Sequence, residues 1–268
     1  MRLKAECDLE FAASAPTPAI FMLRPRSGPG QWIVREEYCL EPIVPAMEYT
    51  DSYGNLCQRL VVPAGTFRVA TRAWVETADA IAVAPGSPYL PVEQLPEDVL
   101  RFLLPSRYCQ ADLLADLALE IAGEAIPGYD QVAAIQQWIQ TQIEYQYGTS
   151  NASTSAVETA QQRQGVCRDF AHLGIALCRS LNIPARMVVG YLYQLKPMDL
   201  HAWFEAFLGD RDAPQAPGRW YTFDATQTEP LGNRIVIAYG RDATDVALTT
   251  QFGPMTLRSL QVSVTAAD

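Results

Sequence analysis

The feature that most constrains the fold is a change of pattern near residue 85 of this 268-residue chain. Before it, short alternating or apolar segments lie between proline and glycine breaks, which is typical of strands. The predicted strands are 32–36, Leu56–Val62, 66–77 and 80–83. A segment rich in proline, 85–91, follows and reads as a linker. We therefore expect a β-rich N-terminal domain over residues 1–88 and a second domain over residues 89–268.

The second part of the chain predicts helices first and strands afterwards. Apolar residues at helical spacing predict helices at 110–125, 131–143, Ala156–Gln162 and 167–181. In the first of these, Leu113, Leu117 and Ile121 share one stripe. Strand patterns follow at 186–195, His201–Leu208, 219–224, 234–239 and 256–264. Helices followed by strands indicate an α+β fold, because a parallel α/β sheet would alternate the two.

Cys167 opens one of these predicted helices, directly after Gly165-Val166. Ala171, Gly174 and Cys178 share its stripe at helical spacing, which predicts that the thiol faces inward. In a first turn, free backbone N–H groups and the helix dipole favour a thiolate, and the same N–H groups could bind an oxyanion. His172 is rotated by roughly 140° from Cys167, so we expect it to contact another element.

His201 is the better-placed base of the two histidines. An antiparallel hairpin that pairs Leu208 with Pro217 would place His201 opposite Asp224 and Trp203 opposite Thr222. The imidazole and the carboxylate would then share one face of the sheet, whereas a slip of one residue would separate them. A thiol at a helix start, a histidine and an aspartate are the parts of a nucleophilic cysteine enzyme. Taken singly, each has an ordinary alternative: a buried cysteine is usually core, and Asp224 could simply form a turn.

These residues resemble the transglutaminase-like superfamily, and more narrowly its bacterial branch, whose members are often labelled cysteine proteases. The resemblance covers most of residues 104–226, with 51–55 similar to the N-terminal domain of the same proteins. Its motifs are Gln164-Gly165-Val166-Cys167-Arg168-Asp169-Phe170-Ala171-His172, Asn182-Ile183-Pro184-Ala185-Arg186, Gly190-Tyr191, His201-Ala202-Trp203 and Asp224-Ala225-Thr226. The family often has Asp-Pro-Thr at the last of these, and here the carboxylate is kept.

The resemblance implies a papain-like core with an N-terminal β-sandwich-like domain. It also implies that Cys167 is the nucleophile, His201 the base and Asp224 the residue that orients it. Such a triad would act on amide or peptide bonds of a peptide or protein substrate, as a cysteine peptidase, amidase or protein-glutamine transferase. Hydrolysis and acyl transfer use the same groups and stay open at this point. The alternative is a non-catalytic binding or scaffold protein, which thiol labelling would distinguish.

Aromatic residues near the motifs are candidates for the pocket wall or for a second oxyanion donor, although core packing is their commoner role. These candidates are Tyr145, Tyr147, Trp138 and Trp203. No Cys-x-x-Cys pair or calcium-loop pattern occurs, so we predict no metal and no cofactor. A metal site built from Cys167, His201 and Asp224 is the weaker alternative, since no fourth ligand has suggestive spacing.

Composition narrows the remaining possibilities. The formal net charge is −10, which argues against nucleic acid and an anionic membrane surface as partners. The six cysteines form no dense framework, the first residues lack the apolar core of a signal peptide, and no run of about 18 apolar residues occurs. We therefore expect reduced thiols and a cytoplasmic protein. The oligomeric state is not predicted.

Overall fold

The computed structural model describes residues 1–267. Within these residues it contains fourteen strands and four α-helices, numbered here in chain order. The strands are β1 (Arg2–Ala13), β2 (Thr17–Phe21), β3 (Gln31–Glu41), β4 (Ala46–Thr50), β5 (Leu56–Val62), β6 (Gly65–Thr77), β7 (Glu144–Tyr145), β8 (Gln164–Gly165), β9 (Ala185–Leu192), β10 (His201–Leu208), β11 (Arg219–Phe223), β12 (Arg234–Gly240), β13 (Thr249–Gln251) and β14 (Met255–Ala266). The helices are α1 (Ala115–Ala122), α2 (Tyr129–Gln142), α3 (Ala156–Gln162) and α4 (Cys167–Ser180).

Two four-stranded antiparallel sheets form a sandwich around the N-terminal part of the chain. Their strand orders are β14-β1-β6-β3 and β13-β2-β5-β4. Every second residue of β1 is buried, because one face of the sheet packs on the core while the other faces outward. Phe21 joins the two sheets: its ring lies 5.6 Å from that of Phe11 and 6.1 Å from that of Phe67. The expected β-sandwich-like architecture is confirmed.

The end of the chain returns to this sandwich. Strand β14 pairs with β1 from Leu3 opposite Ala266 to Ala13 opposite Met255, and β13 pairs with β2. A division at residue 88 therefore leaves these last strands on the other side of the boundary from their pairing partners. The predicted boundary stays a prediction, and we refer to residues 1–88 as the N-terminal module.

The predicted strand at 80–83 is wrong. After β6 the chain leaves the sheet, and Ala80 makes a single bridge to Leu231 in the second part of the molecule. The apolar run 80–83 instead borders two cavities between the N-terminal module and the sheet that carries His201. Ile81 is partly buried, whereas Ala80, Ala82 and Val83 are exposed, so most of this apolar run lies outside the core.

The second part of the chain is the predicted α+β layer of helices on an antiparallel sheet, with strand order β11-β10-β9-β12. Helix α4 packs directly on β10, and Gly174 permits this approach. A Cβ atom at Gly174 would lie 2.5 Å from the ring of Phe204, which is far inside contact distance. The predicted helical face of 110–125 is wrong in phase: Leu113 is exposed, whereas Leu114, Ala118 and Ala122 are buried. Among residues 1–267, no helix is both long and apolar enough to cross a bilayer.

His172 is part of the core of this layer, as its rotation away from Cys167 predicts. Its side chain is fully buried, and its ring stacks on that of Tyr108 at 5.0 Å. Its Nε2 accepts a hydrogen bond of 3.1 Å from the backbone N–H of Ala243. Burial outweighs the nearby Asp242 and Asp169 carboxylates and lowers the pKa of His172 to about 4.

We expect the neutral His172 to make the protein acid-sensitive. Its pKa in the unfolded chain is about 6.5, so the unfolded state binds the proton first as the pH falls. Stability is therefore present above about pH 6.5 and lost as the pH falls towards 4, by up to about 3 kcal/mol in the free energy of unfolding. Denaturant melts from pH 7 to pH 4 measure this slope. His172→Gln should flatten it, and an equally steep slope in that variant would contradict the assignment.

Candidate active site

The start of α4 holds Cys167 in a defined position. The buried Asp169 carboxylate accepts a hydrogen bond of 2.9 Å from the backbone N–H of Val166 and so caps the helix. Gly165 allows this cap, because a Cβ there would lie 2.7 Å from the Cβ of Asp169. Strand β7 pairs in parallel with β8 and brings Tyr145 alongside Gly165. Cys167 is the first residue of α4 and is partly exposed, while Ala171 and Cys178 on its stripe are buried.

The structure brings Cys167, His201 and Asp224 together. The Nε2 atom of His201 lies 2.8 Å from Oδ2 of Asp224, and both side chains are almost fully buried. Cys167 lines the same cleft as this imidazole and is near enough to contribute to the raised pKa of His201. Because Asp224 occupies Nε2, the remaining nitrogen, Nδ1, is the one available to the thiol.

The predicted hairpin register is wrong by two residues. Strand β10 pairs with β11 so that Phe204 lies opposite Phe223 and Leu208 opposite Arg219, not Pro217. His201 and Asp224 are therefore diagonal neighbours rather than directly opposite. A shift of two residues keeps every side chain on its face, which is why the imidazole and the carboxylate still meet. The loop between the two strands covers residues 209–218, whereas the predicted register would leave a loop of only 209–216. Turns at residues 211–212 and 214–215 take up the additional residues.

Asp224 is held on both carboxylate oxygens. Its Oδ1 accepts hydrogen bonds from the backbone N–H of Thr226 at 3.1 Å and from the Thr226 hydroxyl at 2.7 Å. Its Oδ2, which faces His201, also lies 2.9 Å from Nη1 of Arg234. The backbone N–H of Asp224 donates to Oε1 of Gln136 on α2 at 3.1 Å. The turn at residues 224–226 therefore exists, and it serves to fix the carboxylate that contacts the histidine.

The charges of this group reinforce one another. Burial alone would favour neutral forms, but the Asp224 carboxylate outweighs it and, with the Cys167 thiol, raises the pKa of His201 to about 9. Burial likewise works against the charged Asp224, but His201, Arg234 and Thr226 hold the pKa of this carboxyl well below its usual range. The site therefore favours an imidazolium beside an ionised aspartate at neutral pH.

A cleft of about 240 Å³ opens over Cys167 and His201. Tyr145 and Tyr147, two of the predicted pocket residues, line it, and their rings lie edge to face at 5.5 Å. The segment after β9 forms the opposite wall with Leu195, Lys196, Pro197, Asp199 and Leu200. The thiol is thus accessible from solvent through a cleft with aromatic, aliphatic and charged walls.

The two tryptophans lie elsewhere. Trp138 packs at the edge of the core with Arg163 over its ring at 4.5 Å, away from the residues that line the cleft. Trp203 is buried behind His201, with ring centroids 6.0 Å apart, and Arg234 lies over it at 4.9 Å. Trp203 therefore lies behind the imidazole and does not line the cleft over Cys167. Within residues 1–267, no group of three or more His, Cys, Asp or Glu side chains is arranged to hold a metal ion.

Sequence reasoning missed Arg234 and Gln136. Both contact Asp224. Gln136 is far from it in sequence, and Arg234 is separated from it by a turn. Arg234 opens a predicted strand, and Gln136 lies on a predicted helix whose apolar stripe does not include it. A pattern that reports only which face is apolar carries no signal for either contact.

Comparison with known proteins places this chain in a family. A model of the transglutaminase-like superfamily matches residues 115–225, a range that contains Cys167, His201 and Asp224. A crystal structure described as a candidate cysteine protease from Cytophaga hutchinsonii is 38% identical, with a TM-score of 0.91. The match covers 100% of this chain and 91% of that one.

Curated relatives from mycobacteria are also similar. An uncharacterized protein of Mycobacterium leprae is 27% identical over 266 residues, covering 92% of this chain and 91% of its own length. An uncharacterized protein of Mycobacterium tuberculosis is 36% identical over 120 residues, covering 40% of this chain and 37% of its own. With the core matched by the family model and the whole length matched by a solved structure, the chain belongs to the transglutaminase-like superfamily.

Proposed function

We propose that the protein is a cysteine peptidase or amidase that cleaves amide bonds of peptide or protein substrates through Cys167, His201 and Asp224. The observation that carries this proposal is a partly exposed thiol at a helix N-terminus that shares a cleft with an imidazole whose Nε2 lies 2.8 Å from a buried carboxylate. The likeness to a structure described as a candidate cysteine protease supports it.

The reaction follows from the charges of the site. The thiolate of Cys167 attacks the carbonyl carbon, and the electron pair of the C=O bond moves onto oxygen. As the tetrahedral intermediate collapses, the imidazolium of His201 gives its proton to the departing amine, leaving a thioester on Cys167. Imidazole then takes a proton from water, which attacks the thioester and releases the carboxylic acid and the thiolate. An amine in place of this water would give a new amide by the same steps.

The experiment that tests this function compares two forms of the protein under two conditions. A library of peptides, some containing glutamine, is incubated with the wild type and with Cys167→Ala, in the presence and absence of a primary amine. Release of peptide fragments or ammonia that needs Cys167 supports the proposal, and an amide product in the presence of amine would add acyl transfer. Binding of peptides without any turnover across the library would contradict it and favour the non-catalytic alternative.

We propose that the Tyr145 hydroxyl is the second donor to the oxyanion, beside the backbone N–H of Cys167. Burial and the negative charge of the neighbouring Cys167 raise the pKa of Tyr145 above its usual value, so the phenol stays protonated. Tyr145→Phe should lower kcat by about 10²-fold with little change in KM, as loss of one oxyanion donor does. Tyr147→Phe is the matched control, because Tyr147 lines the same cleft. Equal losses in the two variants would refute this role.

We further propose a reducing compartment such as the cytoplasm. All six cysteines are unpaired, and one of them, Cys39, is exposed. Mass spectrometry of protein isolated from cells without reductant should find free thiols throughout. A disulfide that involves Cys39 or Cys167 in that material would argue against this location.

A further inference from the structure

The strand that carries Arg234 is held from outside its own sheet. Strand β12 lies at the edge of the sheet that carries His201, so one side of its backbone has no strand partner. Two amide side chains of the N-terminal module occupy that side. Gln31 exchanges two hydrogen bonds with the backbone of Val236, at 2.7 and 2.9 Å. Asn55 does the same with Tyr239, at 2.8 and 2.7 Å. Each amide thus replaces a neighbouring strand.

Both amides are themselves fixed within the N-terminal module. Gln31 also donates to the carbonyl of Arg26 at 2.7 Å, and Asn55 donates to the carboxylate of Asp51 at 3.0 Å. Both side chains belong to residues that are more than nine-tenths buried. Each amide is therefore hydrogen-bonded both to the N-terminal module and to β12. These bonds fix the position of β12 relative to the module.

The approach to Arg234 is fixed in the same way. The backbone N–H of Asn233 donates to the carbonyl of Ala78 at 2.9 Å. A Cβ atom at Gly232 would lie 2.3 Å from the carbonyl oxygen of Asp79, so the two backbones are in close contact there. Arg234 then donates from Nε to the carbonyl of Leu231 at 3.0 Å. These contacts orient the guanidinium so that it extends from the junction with the N-terminal module towards the triad.

At the other end, Arg234 meets the triad. Its Nη1 lies 2.9 Å from Oδ2 of Asp224, the same oxygen that His201 contacts, and only 6% of its side chain is exposed. Its guanidinium lies over Trp203, whose ring in turn stacks behind His201. Within the described residues neither Nη1 nor Nη2 makes a hydrogen bond, so the contact of Nη1 with Asp224 is an ion pair and the main polar use of this end of the side chain.

We propose that Arg234 is a positioning residue of the triad, which holds Asp224 against His201, and that the N-terminal module sets its place through Gln31 and Asn55. The expected effect of Arg234 on catalysis rests on the proposed function, whereas the test of its positioning role does not. It gives the N-terminal module a part in the active site: the module fixes the edge strand from which the triad aspartate is held.

The proposal predicts a change in the titration of His201. Arg234 and His201 both contact one oxygen, so their charges are no more than about 6 Å apart, where repulsion in a protein is substantial. If Arg234 holds Asp224 in place, its removal should loosen the carboxylate and lower the pKa of His201, whereas loss of a charge alone would relieve repulsion and raise that pKa. The other charged groups near this ring are Cys167 on α4, Asp224 after β11, and Lys196 and Asp199 in the cleft wall. Cys167 is replaced by alanine in every variant compared below, and the other groups are the same in all of them.

The experiment is an NMR titration of histidine side chains in the Cys167→Ala background, where the thiol cannot couple to the ring. The chain has two histidines, so the spectrum holds two signals, and that of the buried His172 reports whether the core is intact. Arg234→Met should lower the pKa of His201 by about one unit, whereas Arg234→Lys should lower it less, because lysine keeps a cation beside Asp224. Arg186→Met is the matched control, because Arg186 pairs with Glu205 on the same sheet without contacting the triad.

A second comparison tests the part of the N-terminal module. The double variant Gln31→Leu with Asn55→Leu should shift the His201 titration in the same direction as Arg234→Met. Gln58→Leu is its control, because Gln58 is equally buried in the module but its side chain contacts Glu48 of the same module. In the active enzyme, Arg234→Met should lower kcat and leave KM unchanged, since Arg234 lies behind Asp224 and not among the residues that line the cleft.

The outcomes separate this proposal from the proposed function. A His201 titration that is unchanged or raised in Arg234→Met overturns the positioning role of Arg234. A shift in Arg234→Met with none in the double variant overturns the role of the N-terminal module. Neither measurement needs a substrate, so an absence of turnover in the wild type would contradict the proposed function and leave the titration to decide this proposal.

Discussion

Replacing Cys167 by alanine is expected to abolish turnover, with kcat lowered by about 10⁴-fold or more, while the protein remains folded. The thiol is the group that would form the acyl-enzyme, and no other side chain that lines the cleft is a comparable nucleophile beside an imidazole. Because Cys167 is partly exposed and its backbone is held by the cap of Asp169, the smaller side chain should cost little stability. Steady-state kinetics and a thermal melt measure the two effects.

Cys178→Ala is the matched control for this variant. Cys178 lies about three turns further along the same stripe of α4, fully buried, and burial raises the pKa of its thiol. Its replacement should lower stability by about 1 kcal/mol and keep kcat. Wild-type turnover in Cys167→Ala, on a substrate that the protein demonstrably cleaves, would remove Cys167 as the nucleophile.

Asp224→Asn is expected to lower kcat by about 10²–10⁴-fold, by analogy with triads in which the same change alters the tautomer of the histidine. Asparagine keeps the shape of the side chain but removes the charge that raises the pKa of His201. The imidazolium should therefore lose its proton at lower pH, and the alkaline limit of activity should move below that of the wild type. A pH profile of kcat measures this shift.

Asp169→Asn provides the comparison. Asp169 is also a buried carboxylate near Cys167, but it caps α4 and pairs with Arg168 at 2.9 Å rather than with the histidine. We expect it to lower the melting temperature while the pH profile stays in place. If Asp169→Asn reproduces the loss of activity and Asp224→Asn leaves it intact, then the orienting carboxylate is Asp169.

The sequence predicted the elements that carry the site because their local signals agree. Strand β10 begins and ends where its alternation does, and α4 begins at Cys167 because Asp169 can cap it and ends one residue before the prediction. The face shared by His201 and Asp224 was also predictable, because the side-chain period of a strand is two residues and survives a register shift of two.

Other features were not predictable because they depend on distant partners. The phase of α1 was wrong because its buried face consists of the small Ala118 and Ala122, which pack closely, while larger apolar residues remain outside. The return of β14 to β1 joins the two ends of the chain, and no local pattern indicates it. The contact of Arg234 with Asp224 and that of Gln31 with Val236 likewise join residues that only the fold brings together.

The most direct test of a thiolate paired with His201 is the rate of alkylation of individual cysteines against pH. The protein offers an internal reference, because Cys39 is exposed and lies in the N-terminal module, far along the chain from the site. Iodoacetamide labelling, read residue by residue through peptide mass spectrometry, should show Cys167 reacting about 10-fold faster than Cys39 or more at pH 6. This excess should disappear in His201→Ala. Equal reaction of Cys167 and Cys39 across the pH range, in the wild type as in that variant, would contradict the account.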